Sequence, residues 1–272
     1  MTISELWSTH PDDVSALDSR RLRERFVVSD LFRTGEVRFA YTHDDRLLIA
    51  GISPAGEELA VTAPDALRAS HLLERREAAL VGLSGEVAVL SSAGEFVVGP
   101  HDVLYLPRGT TGIRLGGRGE VYLVSAPAHG STTAALARRD EVEAVRLGSA
   151  EGANDRTIRK YVHADGIRSD QLVLGITTLE PGSVWNTMPA HTHSRRTEIY
   201  LYDGLGDAPL VHLMGRPDDT RHLILRNRDA VVSPPWSIHS GSATAAYSFI
   251  WAMAGENVDY SDVEAVDVGG LR

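Results

Sequence analysis

Apolar and polar positions alternate along most of the chain in short runs bounded by Gly, Asp and Ser. RFVVSD, EVRFAYTH and RLLIAGIS come first, then AALVGL, GEVAVL, GEFVVG, DVLYLP and EVYLVSAPA. They are rich in Val, Ile, Phe and Tyr, which predicts β-strands joined by tight turns. After a polar, small-residue stretch at 128–158, strands resume with QLVLGITTLE, TEIYLY, LVHLMG, RHLILRN, DAVVSP and AAYSFIWAMAG. Helical character is confined to residues 13–25, DVSALDSRRLRER. Closely spaced strands of this kind predict an all-β protein, a sandwich or barrel rather than a layered α/β fold.

The two strand-rich halves read as distant copies. GPHDVLYLPRGT (99–110) resembles RNRDAVVSPPWSIH (226–239). Asp102 and Pro107 stand five apart, as do Asp229 and Pro234, and a doubled arginine precedes each pair: Arg75–Arg76 and Arg195–Arg196. At the offset of the arginine pairs His71 falls opposite His191, but Leu73 stands opposite His193 and Ala78 opposite Glu198; at the offset of the Asp-to-Pro turns Gly112 stands opposite His239. The predicted organisation is a first barrel with an N-terminal helical segment over 1–126, a linker over 127–160 and a second barrel over 161–272.

What differs between the copies is chemistry. In MPAHTHSRRTEIYLY (188–202), His191 and His193 are two apart, so on a strand they share a face. Glu198 follows five residues later, and His239 closes a P-x4-H pattern begun at Pro234. Three imidazoles and one carboxylate suit Zn, Fe, Mn, Ni or Co, and spacing does not choose among them. H-x-H-x4-E followed by P-x4-H is the pattern of a cupin barrel, with two departures: Trp236 stands where many cupins have glycine, and Asp229 follows Arg228 rather than glycine. The second half is predicted to hold a metal and the first to have kept only the scaffold.

Bulk properties narrow the function further. A formal net charge of −10 argues against nucleic acid as the main partner. The absence of cysteine excludes disulfides, thiolate metal sites and cysteine nucleophiles. The start, MTISELWSTHPDD, lacks the basic and apolar regions of a signal peptide, and no apolar run approaches the roughly 20 residues of a membrane span. The expectation is a soluble, cytoplasmic protein.

Longer strings carry a resemblance. NTMPAHTHSRRTEIYLY, HLMGRPDDTRHLILRN, AVVSPPWSIHSG and FIWAMAGEN, with HLLERREA, YLPRGT, SAPAH and DRTIRKY from the first part, resemble the 5-keto-4-deoxyuronate isomerases, the 4-deoxy-L-threo-5-hexosulose-uronate ketol-isomerases of pectin breakdown. The likeness spans nearly the whole chain; DGLGDAPL (203–210) is a local departure from the family's usual loop. It implies two tandem cupin barrels, one zinc ion held by His191, His193, Glu198 and His239, a homo-oligomer, often a hexamer, and a small anionic sugar-acid substrate.

The implied reaction moves a carbonyl from C1 to C2 through an enediol and needs a general base. Glu198, His222 and Tyr202 are the catalytic candidates, with Tyr200 and Glu256 as alternatives. The substrate carboxylate calls for guanidinium, and Arg196 and Arg221 are the expected partners. Trp236 and Trp251 read as packing residues. Rival readings are the related 5-deoxyglucuronate isomerase of inositol breakdown, an Fe(II) cupin dioxygenase and a non-catalytic sugar-binding cupin.

Overall fold

The computed structural model describes residues 3–256 and 262–272. Strands dominate, and they form two barrels packed back to back. In the first, the long strand Arg76–Ser91 lies between Val103–Leu106 and Arg114–Pro127, and the sheet continues through Leu48–Ile52 and Val37–Thr42. In the second, Arg196–Asp203 lies between Ala230–Ser233 and Ser248–Gly255, and the sheet continues through Val173–Leu179 and Arg156–Val162. A four-stranded sheet that includes Leu210–Arg216, Asp219–Leu225 and Ile238–Ala243 closes the second barrel.

Burial on both faces explains why the central strands are almost continuously apolar. Ala79, Val81, Tyr122 and Val124 of one barrel meet Ile199, Leu201, Val232 and Ile250 of the other in a shared core. The alternate residues point inward: Ala78 and Leu80 into the first barrel, Glu198, Tyr200 and Tyr202 into the second. AALVGL and GEVAVL, which read as two strands, form one; it bends at a register shift between Gly82 and Ser84. Gly82 is required there, because a Cβ would lie 2.0 Å from the Gly99 carbonyl oxygen.

The internal repeat is visible as identical turn chemistry. The Asp102 carboxylate accepts the Gly99 amide at 3.0 Å, and the Asp229 carboxylate accepts the Arg226 amide at 3.0 Å. Four residues beyond each aspartate, Leu106 pairs with Ala78 and Ser233 pairs with Glu198.

The helical N-terminal segment does not belong to the first barrel. It forms a 3-10 turn (Pro11–Ala16) and a helix (Ser19–Phe26) capped by Asp18, whose carboxylate accepts the Arg21 amide at 2.8 Å. Val14, Leu22 and Phe26 bury into the second barrel's core, and Val27–Val28 pairs with Ala230–Ser233. Trp236, the departure from cupin glycine, meets Phe26 edge-on with ring centroids 6.2 Å apart. Reciprocally, Ala135–Ala137 extends the first barrel by pairing with Val103–Leu106. Each of these two short strands thus docks on the barrel other than the one it leads into. Residues 127–160 are accordingly not a bare connector, since Val145–Leu147 and Arg156–Val162 also build the second barrel's sheet.

Candidate metal centre and cavity

His191 and His193 come from the short segment around His191–Thr192, Glu198 from the inward face of Arg196–Asp203, and His239 from Ile238–Ala243. The side chains converge. His191 Nε2 lies 3.1 Å from His193 Nε2 and 3.0 Å from His239 Nε2, while Glu198 Oε2 lies 3.2 Å from His193 Nε2 and 2.8 Å from His239 Nε2. Donors 2.0–2.2 Å from one shared ion are separated by about 2.8–3.6 Å, so this donor set fits a single divalent cation. Ring protons cannot satisfy three converging imidazole nitrogens at once; a cation satisfies every lone pair. Burial, reinforced by His239, holds the His191 imidazole down at about 3 and therefore neutral. Burial opposes ionisation of Glu198, but His239 and the hydrogen bonds from His193 and His239 outweigh it and keep the carboxyl below its ordinary range. Both groups stand in the protonation state a metal requires.

His191, His193 and Glu198 lie in the wall of a cavity of about 240 Å³. Its apolar lining includes Ile158, Met188, Phe249, Trp251 and Met253; its polar groups include Thr177, Thr187, Tyr200, Arg156 and Lys160. Tyr200 shares a 3.0 Å hydrogen bond with Thr187, and burial raises its pKa well above the ordinary value, so it is a hydroxyl donor at neutral pH. Thr187 adopts φ 49, a costly conformation for a β-branched residue, which aims its hydroxyl at Tyr200. Trp251 lies flat on the sheet above Gly175: a Cβ there would sit 2.0 Å from the indole. Its indole nitrogen donates to Thr177 Oγ1 at 3.0 Å.

The remaining candidates lie elsewhere. Tyr202 is buried beneath Tyr200 and bonds His212 Nδ1 at 2.8 Å, without lining the cavity. Arg196 is fully buried and paired with Asp262. On Asp219–Leu225, Leu223 and Leu225 face the core and His222 faces solvent; Arg221 continues the core face at the strand's end, where it bonds Asp219 at 2.7 Å. Neither Arg221 nor His222 lines the cavity, because the strand is the sheet's outer edge. Glu256 sits at the surface, 3.9 Å from Arg195. The atypical 203–210 loop buries Leu205 and Leu210 in the core and leaves the cavity rim untouched.

Sequence reasoning missed Arg156 and Lys160, which lay inside or at the edge of the presumed linker. The available signal was the period-two series Arg156, Ile158, Lys160, which puts all three on one face.

Two barrels of this topology, one carrying a three-histidine, one-glutamate cluster able to hold a metal ion, define a bicupin. Solved structures agree on the fold: an IolB-like protein from Salmonella typhimurium LT2 superposes with TM-score 0.67 at 19% identity, covering 81% of this chain and 87% of that one. Oxalate decarboxylase from Lactobacillus farciminis gives 0.63 at 11% identity, covering 89% and 88%. The chain belongs to the KduI/IolB family, which matches residues 30–267. A Cereibacter sphaeroides protein named 4-deoxy-L-threo-5-hexosulose-uronate ketol-isomerase is 49% identical over 96% of each chain. One of the same name from Agrobacterium fabrum is 42% identical over 100% of each.

Proposed function

We propose that this chain is a ketol-isomerase of uronate degradation, converting 5-dehydro-4-deoxy-D-glucuronate to 3-deoxy-D-glycero-2,5-hexodiulosonate. The observation that carries the reading is the converging His191, His193, Glu198 and His239 set in a cavity sized for one small sugar acid, in a chain 42–49% identical to proteins bearing that name. The division of labour follows: residues 1–126 serve mainly as scaffold, 161–272 carry the chemistry, and the intervening 127–160 complete both barrels. Zinc is the proposed ion, and the proposed assembly is a homo-oligomer.

The ion, when bound by these four residues, would supply positive charge to stabilise the negative charge that develops on the C1 and C2 oxygens. The proton inventory falls to the side chains. A base removes the proton on C2 while the C1 carbonyl oxygen gains one, giving the enediol; the C2 hydroxyl then loses its proton and C1 receives one. Glu198 is the proposed base, since Oε2 alone meets His193 and His239. Tyr200, not Tyr202, is the proposed hydroxyl donor, because it is the tyrosine that lines the cavity. The apolar wall of Phe249, Trp251 and Met253 keeps bulk water from the enediol.

Unsaturated galacturonate monomer opens spontaneously to the keto acid. Incubated with metal-loaded protein and followed by NMR, it should lose the aldehyde signal and gain a second ketone at constant mass. Turnover of 5-deoxyglucuronate in its place would move the chain to the inositol-breakdown activity. Oxygen uptake with loss of mass would replace isomerisation by dioxygenase chemistry.

A further inference from the structure

Resting on that reading, the geometry points to a carboxylate subsite on the Arg156–Val162 strand: we propose that Arg156 and Lys160 together hold the acid end of the substrate. Among the described residues that line the cavity, these are the two permanent cations. They flank Ile158 on the strand's cavity face. Of the 27 Lys and Arg residues, Lys160 is the single lysine.

Arg156 is built for the task. It is half-buried, and one nitrogen donates to the Asn154 carbonyl at 2.9 Å, which fixes the plane of the guanidinium. Its neighbour Asp155 is engaged by Arg146 at 2.5 Å, and among the described residues no carboxylate pairs with Arg156. The arginines first expected to do this work are committed elsewhere, Arg196 to Asp262 and Arg221 to Asp219. Half-buried guanidinium without a counter-ion favours an incoming carboxylate.

Register places this subsite relative to the metal. Lys160 pairs with Gly175, Gly175 with Trp251, and Trp251 with Tyr200; Glu198 lies one inward position beyond Tyr200 on the same strand. Lys160 and Tyr200 are thus three strands apart across a cavity floor made by the flat indole of Trp251. A linear sugar acid lying along that floor puts its carbonyl end at the metal ligands and its carboxylate at the basic edge. In a chain of net charge −10, the long-range field opposes an anion, so recognition must come from such short-range contacts.

The test compares the keto acid with its methyl ester in kcat/KM, using metal-loaded wild type, Arg156→Gln, Lys160→Met and Lys160→Arg. Titration calorimetry with the borohydride-reduced acid and its ester, which cannot isomerise, reads binding apart from turnover. Metal content and thermal melting confirm that each variant is folded and loaded. Wild type should prefer acid over ester, and Arg156→Gln and Lys160→Met should each cut that preference about 10- to 100-fold. Lys160→Arg should retain most of it. Were both neutral variants to keep the wild-type ratio while turnover persists, the subsite is refuted and the isomerase reading stands. Were wild type to bind the reduced acid through Arg156 without isomerising the keto acid, the isomerase reading falls and the subsite stands.

Discussion

The two barrels share a framework and differ in what they put inside it. In the first, the row Phe39–Ala50–Leu123–Leu80 crosses four paired strands; in the second, the matching row is Lys160–Gly175–Trp251–Tyr200. One step along, Leu48–Ser125–Ala78–Leu106 answers Val173–Met253–Glu198–Ser233. The first barrel fills its interior mainly with apolar side chains, Phe39, Leu48, Leu80, Leu106 and Leu123 among them. The second lays an indole flat over a glycine and places a cation at one margin and a carboxylate at the other. Hydrogen-bonded register is therefore indifferent to function here; four or five inward side chains separate a packed core from a reaction vessel.

The strongest way to break this comparison is to count metal. One divalent ion per chain is expected in native protein, and its absence in His193→Ala, with activity down about a thousandfold or more given the several kcal/mol a catalytic metal supplies. Elemental analysis that finds two ions per chain, or an unchanged ion in the variant, would show that the first barrel is not the inert partner.

The reverse experiment installs in the first barrel the carboxylate that it lacks at the position matching Glu198. Ala78 is fully buried between Ser125 and Leu106. Ala78→Glu would bury a carboxylate whose nearest cation, Arg76, is already engaged by Ser125 and the Arg46 carbonyl, and should cost about 1–3 kcal/mol, read as a fall in urea midpoint at constant slope. A near-neutral result would mean that the first barrel retains a polar interior.

Arg76 and Arg196 sharpen the comparison, since they occupy equivalent places: Arg76 pairs with Pro127 and Arg196 with Gly255. Both are buried. Arg76 donates to Ser125 and to the Arg46 carbonyl, while Arg196 binds Asp262. A position that is structural in the inert barrel is structural in the active one as well. Arg196→Gln should destabilise by about 3–5 kcal/mol with KM for the keto acid unchanged where the protein remains folded. A KM rise without loss of stability would return Arg196 to the substrate.

These results separate what the chain's pattern reveals from what it hides. The repeat, the all-β architecture and the convergence of three histidines and a glutamate were legible because each rests on local spacing: Asp-to-Pro turns, two histidines on one strand face, a glutamate on the next. Arg196 and Arg221 were misread because alternation tells which face a side chain occupies and not what waits there. Asp262 meets Arg196 from 66 residues away, a contact that local periodicity does not encode. The reciprocal docking of Val27–Val28 and Ala135–Ala137 was hidden for the same reason, since pairing partners of short strands are chosen by tertiary geometry. Arg156 and Lys160 escaped because a polar stretch between barrels reads as connector even where alternation continues through it.

The smallest expected difference concerns acid. The fully buried histidines among the described residues, His193, His212 and His239, all belong to the second barrel. His212 is not a proposed ligand, and burial, with His239 adding to it, lowers its pKa from 6.5 to about 3. Between those values the unfolded chain binds a proton that the folded chain refuses, so stability rises with pH across the window and is lost as pH falls from 6.5 toward 3. At pH 5 the gap from 6.5 corresponds to about 2 kcal/mol from this group. His212→Gln keeps a polar side chain beside Tyr202 and removes the titration. In metal-stripped protein, urea midpoints at pH 7 and pH 5 should show a smaller acid loss for the variant, by up to that amount. Amide exchange at pH 5 should open the Leu210–Arg216 strand before the Arg76–Ser91 strand. Parallel pH profiles for wild type and variant would show that His212 is protonated in the folded protein, and that the two interiors differ less in polarity than their side chains imply.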